Sequence, residues 1–247
     1  MWIKVISLRS PTIKLLSVMA VLIISVMIFN TPAPQKAAVD APFANPVYRV
    51  ITSQRAMALT VNVVWGTQYV PKMLTLLHQN HVAATFMVGG VWAQKHPNLV
   101  RQMVKDGMEV GNHGWNHGHP ANMSVSENVL DIEKTNETVQ KVANVLPRVY
   151  APPYGELGPS VINASAKLHM PLVMWTIDTI DWRPSSQVPY IVNKVIQKAK
   201  PGAIVLMHPT DRSVLALGQI IQGLKQESYQ FVTVSHLMKM GTPATDE

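Results

Sequence analysis

Seven short apolar runs separated by amphipathic helical stretches constrain the fold of this 247-residue chain more than any other feature. The helical stretches show apolar residues at spacings of three and four, as in Val70, Met73, Leu74 and Leu77. Strands that alternate with helices in this way predict an α/β fold with a parallel sheet. The predicted strands lie near Met57–Val64, Val82–Val88, Met108–Asn112, Arg148–Ala151, Leu172–Thr176, Ala203–Met207 and Gln230–Val234.

Seven such strands favour a (β/α) barrel, irregular and incomplete, over the alternative of a doubly wound open sheet. In either fold the loops that follow the strands gather at one edge of the sheet, where chemistry is placed. Polar residues cluster just there, after the strands, around Asn62, His113 to His119, Pro152 to Gly155, Asp178 to Trp182 and His208. The sequence therefore predicts one site at this edge.

Residues 1–30 are predicted to form a signal or membrane anchor. Lys4, Arg9 and Lys14 precede an uninterrupted apolar run over residues 15–29, which is the layout of an export signal and nearly long enough to span a bilayer. No clean small-x-small cleavage site follows, so an uncleaved anchor is favoured. Residues 31–48 contain four prolines and are expected to be an extended spacer, and residues 49–247 the folded domain.

Composition excludes several classes of site. The chain has no cysteine, so thiolate metal sites, disulfides and cysteine nucleophiles are excluded, and any metal must bind His, Asp or Glu. The net charge of +7 suits contact with anionic polymers. The basic residues are scattered and are not gathered into a stripe with interleaved aromatics, which argues against nucleic-acid binding.

Two histidine features at strand ends point to hydrolytic chemistry. His113 and His117 directly follow a strand, and if this loop takes a single helical turn both imidazoles face the same way and can bind one divalent ion. His208 ends another strand and can act as a general acid. Asp181 ends a third strand, and a carboxylate beside a histidine fixes its tautomer and favours its protonated form.

With these pieces in order, the chain resembles the polysaccharide deacetylases, the metal-dependent carbohydrate esterases of family 4 that include the chitooligosaccharide deacetylases. The motifs that carry the resemblance are TVNVVWG (60–66), ATFMVGG (84–90), EVGNHGWNH (109–117), APPYG (151–155), DTIDW (178–182) and LMHP (206–209). They span nearly the whole domain. The WG pair and the VMWTIDTIDW string are similar to the sporulation and cell-envelope branch.

The resemblance implies hydrolysis of the N-acetyl group of an envelope polysaccharide, either peptidoglycan or chitin-like, with a divalent metal that is expected to be zinc. Because the matching carboxylate is absent here, this chain is expected to hold the metal weakly. It implies His113 and His117 as the metal pair, His208 as the general acid and Asp181 as the carboxylate that tunes it. The implied substrate contacts are Tyr154, Pro153 and Trp182. His119, two residues past His117, is the candidate for a third ligand.

The same resemblance exposes three departures. Where the family has two aspartates, a base and a metal ligand, this chain has Asn62 and Val63, and Ala151 replaces the arginine that orients the base. Asn cannot accept a proton and Val cannot bind metal. The sequence therefore supports two functions, a weakened deacetylase and a catalytically silent glycan-binding relative.

The N-terminal segment yields a topological prediction. With its positive charges on the cytoplasmic side, the apolar run should place the domain outside the cytoplasm. A reporter that is active only outside the cytoplasm, fused after Glu247, should therefore be active. A signal from a cytoplasm-specific reporter at the same position would contradict this.

Overall fold

The computed structural model describes residues 45–245. The run predicted as an anchor lies outside these residues. The strands are β1 (Arg49–Ile51), β2 (Ala56–Val63), β3 (Thr85–Val88), β4 (Glu109–Asn112), β5 (Ile177–Asp178), β6 (Ile204–Met207), β7 (Gln230–Val232) and β8 (Thr242–Ala244). The helices are α1 (Val70–Gln79), α2 (Gly90–Lys95), α3 (Pro97–Lys105), α4 (Val125–Ala143), α5 (Pro159–Lys167), α6 (Val188–Lys198), α7 (Asp211–Gln226) and α8 (Val234–Leu237).

A parallel sheet forms the centre of the domain, with the order β4-β3-β2-β6-β5, and β7 pairs with the first half of β2. Isolated parallel bridges continue the pairing from Asn112 to Tyr150 and from Tyr150 to Leu172. The run that begins at Leu172 reaches β5, which pairs with β6. The sheet is therefore α/β and barrel-like, as predicted, although its regular strands do not close into a complete barrel.

Two of the predicted strands are reduced to isolated bridges. Prolines flank both, Pro147 and Pro152 around Tyr150 and Pro171 before Leu172, and a proline has no N–H to donate to a ladder. Regular pairing in the second run shifts to Ile177–Asp178, after the predicted segment.

The small antiparallel sheet of β1 and β8 was not predicted. Val47, at the end of the stretch expected to be a spacer, is already buried and bridges to Val173.

Strand β2 lies at the centre of the sheet, and all eight of its residues are buried. Met57, Leu59, Val61 and Val63 belong to the main apolar core, which includes residues of α1 and α7. Ala56 and Ala58 belong instead to a smaller cluster with Met87, Val149 and Ile204. Since side chains alternate along a strand, Asn62 shares the face of the two alanines. The inner face of β2 thus carries small side chains near its start and polar side chains near its carboxyl end.

The strand ends converge because the parallel registers are in step. Thr60 on β2 is aligned with Leu206 on β6, which is aligned with Asp178 on β5. Two residues further along the chain from Thr60 and Leu206 lie Asn62 and His208, which line the same cavity. Within residues 45–245 no helix is both long enough and apolar enough to cross a membrane.

Candidate functional site

The loop after β4 carries the two predicted ligand histidines. It is not helical, contrary to the turn considered from the sequence, and instead bends through positive φ angles at Gly114 (72°) and His117 (57°). The two imidazole centroids are nevertheless 5.1 Å apart. Asn112 and Asp131 hold the loop by accepting hydrogen bonds from the backbone N–H of Gly114 and Trp115, each at 2.8 Å. The predicted pairing of the imidazoles is therefore achieved by a different backbone route.

His113 is fixed in one tautomer. The residue is 1% exposed, and its Nδ1 donates a hydrogen bond of 2.7 Å to the carbonyl oxygen of Ala151, which can only accept. This leaves Nε2 as a free acceptor, the arrangement that second-shell carbonyls impose on histidine ligands. Burial lowers the pKa of His113 from 6.5 to about 3. His113 is therefore a neutral imidazole at physiological pH.

His117 and His119 both contact the ring of Tyr154. The ring of Tyr154 is 4.4 Å from that of His117 and also 4.4 Å from that of His119, on which it stacks at 9°. Nδ1 of His119 pairs with Glu156 Oε1 at 2.7 Å. His119 is thus engaged by Tyr154 and Glu156 in this conformation. Partial burial lowers the pKa of His117, which favours its neutral form as well.

His208, which lines the cavity described below, is hydrogen-bonded to the buried side chain of Asp181. The carboxylate of Asp181 is 0% exposed and accepts from His208 twice, from Nδ1 at 2.8 Å and from the backbone N–H at 2.7 Å. Ser213 Oγ donates to the second carboxylate oxygen at 2.5 Å. Because Nδ1 is committed to Asp181, Nε2 of His208 is the nitrogen available to hold or deliver a proton.

The turn from Asp178 to Trp182 holds Asp181 in place under strain. Ile180 has a φ of 55°, which is an outlier for a β-branched residue. Its N–H donates to Asp178 Oδ1 at 2.7 Å. Trp182, the next residue after Asp181, lines the central cavity, and Arg183 lies 4.8 Å over its ring.

The other half of the family's site is missing from the cavity. Asn62 lines it, and its Oδ1 is a buried acceptor without a hydrogen-bond partner in the described part of the chain. Val63, where the family has its metal-binding aspartate, packs in the core that faces the helices and does not line the cavity. Ala151 is 3% exposed in the inner apolar cluster. No side chain of residues 60–63 or 151 can therefore act as a base.

These groups surround one cavity of about 400 Å³. It is lined by Asn62, Val64, Trp65, His113, His117, Tyr154, Gly155, Trp175, Asp178, Trp182, Leu206 and His208. Pro153 does not line it but packs behind the loop at Gly114. A larger cleft of about 1170 Å³ is lined by Pro147, Arg148 and Pro171, which precede strand segments, so it lies away from the carboxyl ends of the strands.

Sequence reasoning missed two contacts of the His208 and Asp181 pair, one to each residue. Trp65 stacks on His208 with an interplanar angle of 5° and a centroid distance of 5.8 Å. Gly66, at φ 69°, allows this because a Cβ there would lie 2.0 Å from the carbonyl oxygen of Pro209. Ser213 had no sequence signal, since it reaches Asp181 only through the first turn of α7.

Comparison with known proteins identifies the family of the chain. The family model described as polysaccharide deacetylase matches residues 49–173. The chain belongs to the polysaccharide deacetylase family. The deacetylases of this family are metal-dependent hydrolases that act on an amide C–N bond.

Among curated relatives, the uncharacterized protein YlxY of Bacillus subtilis is 37% identical over 194 residues. The match covers 78% of this chain and 60% of YlxY, so the chain spans less than two thirds of that relative. A peptidoglycan-N-acetylglucosamine deacetylase of Bacillus cereus is 35% identical, with 80% of this chain and 95% of that protein covered.

Among solved structures, the chain matches BA3943, a CE4 family pseudoenzyme from Bacillus anthracis, with 34% identity and a TM-score of 0.76. The match covers 79% of this chain and 69% of that chain. A BA3943 mutant with restored enzymatic activity matches equally well in TM-score, at 32% identity, with coverage of 79% and 71%. The fold of this chain is thus shared with a relative whose activity is lost and can be recovered.

The divalent metal that the family uses can be tested against the residues present. His113 and His117 suit it, because both are biased to the neutral form and His113 presents a free Nε2. Among residues 45–245 no group of three His, Asp or Glu side chains is arranged to hold a metal. The donor set therefore supplies two protein ligands and lacks the carboxylate.

The buried neutral state of His113 predicts an acid-sensitive fold. In the unfolded chain His113 binds a proton below pH 6.5, whereas in the native state it stays neutral down to about pH 3. The free energy of unfolding should therefore fall with decreasing pH over that window. One such histidine contributes at most about 1.4 kcal/mol per pH unit. Chemical denaturation of metal-free protein measures the slope, and His113→Asn, which keeps a donor for Ala151, should reduce it. An unchanged slope would contradict the assignment.

Proposed function

We propose that this protein is a polysaccharide deacetylase-type hydrolase of N-acetylated cell-envelope glycan, weakened by loss of its base. The observation that supports this most strongly is the cavity of about 400 Å³, which is lined by His113, His117 and His208, with Asp181 hydrogen-bonded to His208. The hydrogen bond between His208, the proposed acid, and Asp181 is present, whereas Asn62 stands at the position of the base and its Oδ1 has no partner in the described residues.

The retained residues have distinct parts in the reaction. His208, with Nδ1 held by Asp181, gives a proton from Nε2 to the nitrogen that leaves as the amide bond breaks. Trp65 and Asp181 restrict the imidazole from two directions, so that little reorientation is needed. Tyr154 and Trp182 form exposed aromatic walls on which a sugar ring and its acetyl group can pack.

The missing residues set how slow the reaction is. A metal bound at His113 and His117 would polarise the amide carbonyl and lower the pKa of bound water. At the position of the base, Asn62 can orient a water molecule by hydrogen bonding but cannot remove its proton. General-base catalysis contributes about a hundredfold to ten-thousandfold in rate, so a loss of that size is expected.

A second candidate function is favoured by the same residues. A domain that keeps the aromatic walls but has no base can bind glycan without cleaving it, and the match to BA3943, a pseudoenzyme by its description, supports this reading. In that case the protein would serve wall or spore assembly as a glycan-binding relative. An N-terminal anchor at the membrane is part of both proposals.

Metal binding tests the paired histidines. We expect zinc to bind weakly, since loss of even a supporting residue commonly costs roughly tenfold or more in affinity. Purified protein should lose its zinc to a mild chelator, and His113→Ala should abolish binding, as measured by metal content and by titration with zinc. The matched control is His119→Ala, which removes a histidine from the same loop and should leave zinc binding unchanged because Tyr154 and Glu156 already engage His119.

If zinc content survived His113→Ala, the proposed pair would be wrong. If it fell as much in His119→Ala, the third ligand would be His119, and the loop would rearrange on binding.

Restoring the base tests the cause of the weakness. Asn62→Asp replaces an amide with a carboxylate of the same shape at a position that lines the cavity, so acetate release from N-acetylated glycan should rise by about a hundredfold or more. Burial of the new carboxylate is costly without a cation, so the assay contains zinc. Val63→Asp is not part of this design because Val63 faces the helices.

The double variant Asn62→Asp with His208→Ala is the control and should lose the gain. If the natural chain already released acetate as fast as Asn62→Asp, and His208→Ala removed that activity, another group would be the base. Asp178, the carboxylate that lines the cavity, would then be the first to examine.

A further inference from the structure

A side pocket of about 360 Å³ adjoins the central cavity. The two share the side chains of Val64 and His117 as walls. Its volume is at the lower end of ligand pockets and suits one substituent better than several sugar rings. Whatever enters it lies directly beside the presumed position of the reacting amide.

Each polar side chain of this side pocket can donate a hydrogen bond, Lys95 carries a positive charge, and none is a carboxylate. Its lining includes the ammonium group of Lys95, the side-chain amide of Asn116, the imidazole of His96 and the hydroxyl of Thr67. Thr67 Oγ1 accepts from Trp92 Nε1 at 2.9 Å, which leaves its own hydrogen to donate. Such a set favours an anion, and above all a carboxylate or a similar oxyanion.

The ammonium group of Lys95 is available to pair with a charged ligand in the side pocket. It is exposed at the end of α2, and no ion pair, hydrogen bond or cation-π contact of Lys95 occurs among residues 45–245. Asp131 is hydrogen-bonded to the backbone of Trp115 and does not line the pocket. Lys134, which lies 4.0 Å over the ring of Trp115, adds positive charge nearby.

We infer that the side pocket binds the carboxylate of a substituent next to the acetamido group, so that the preferred substrate is a muramyl-type glycan and not an uncharged chitin-like one. This rests on the proposed function, which places the acetamido group in the central cavity. In a muramyl residue the acetamido group is on C2 and the lactyl ether, which carries the carboxylate, is on the neighbouring C3. A group on the adjacent carbon is therefore within reach of a pocket that shares walls with the cavity.

The test compares one glycan in two charge states. A muramyl-containing N-acetylated tetrasaccharide with free carboxylates and the same tetrasaccharide with each carboxylate converted to a carboxamide are titrated into the full chain by calorimetry. The acid should bind about tenfold more tightly than the amide, which is the effect of one charge-assisted hydrogen bond. The preference should shrink between 50 and 300 mM salt because the lysine is exposed.

Two variants of equal charge locate the effect. Lys95→Gln should abolish the preference for the acid while leaving the affinity for the carboxamide unchanged, and the control Lys72→Gln, outside the lining of both pockets, should keep it. Equal affinities of the natural chain for acid and amide, or an equal loss in both from Lys95→Gln, would overturn the inference while leaving the proposed function standing. If neither glycan bound, the proposed function would fail and this inference with it.

Discussion

The buried carboxylate of Asp181 is the interaction on which the rest of the site depends. It joins three elements, because its own turn follows β5, His208 follows β6 and Ser213 begins α7. A carboxylate without water must have its oxygens satisfied, and these three donors do so. The same bonds hold Nε2 of His208 toward the cavity. They also help to stabilise the turn in which the neighbouring Ile180 has a strained positive φ. The orientation of His208 is therefore fixed by contacts among the segments that follow β5 and β6 and the first turn of α7.

The alternation of side chains along β2 explains why the other side of the site could be lost without loss of the fold. Val61 and Val63 face the helices and contribute to the main core, so apolar residues there suit the fold. Asn62 keeps the size of an aspartate at the inner face but not its charge. Its Oδ1 is buried and has no hydrogen-bond partner among residues 45–245. The chain thus keeps the fold of a deacetylase but has Asn62 at the position of the family's base.

Much of this could be predicted from the sequence. The periodic apolar runs gave the parallel α/β sheet, and the ordered motifs gave the family, which the comparisons confirmed. The strands near Tyr150 and Leu172 were overestimated because hydropathy does not register the missing N–H groups of flanking prolines. The pairing of β1 with β8 joins opposite ends of the domain, and no local pattern signals such a contact.

At the site, the meeting of His113 with His117 and of His208 with Asp181 followed from their positions at strand ends. The route of the histidine loop did not, because positive φ at His117 is set by the tertiary contacts of Asn112 and Asp131. The stacking of Trp65 on His208 also depends on the close approach of Gly66 to Pro209, which only a structure reveals.

The central claim is that His208 is in place as the acid and that the missing proton acceptor at Asn62 limits the rate, and chemical rescue tests it most directly. A small carboxylate such as formate, added to the natural chain with zinc and N-acetylated glycan, can enter the cavity beside Asn62 and accept the proton that no side chain there accepts. We predict that acetate release rises with formate concentration and saturates, and that His208→Ala abolishes this rise. Acetate release that is insensitive to formate, at a rate already typical of an intact deacetylase, would contradict the account.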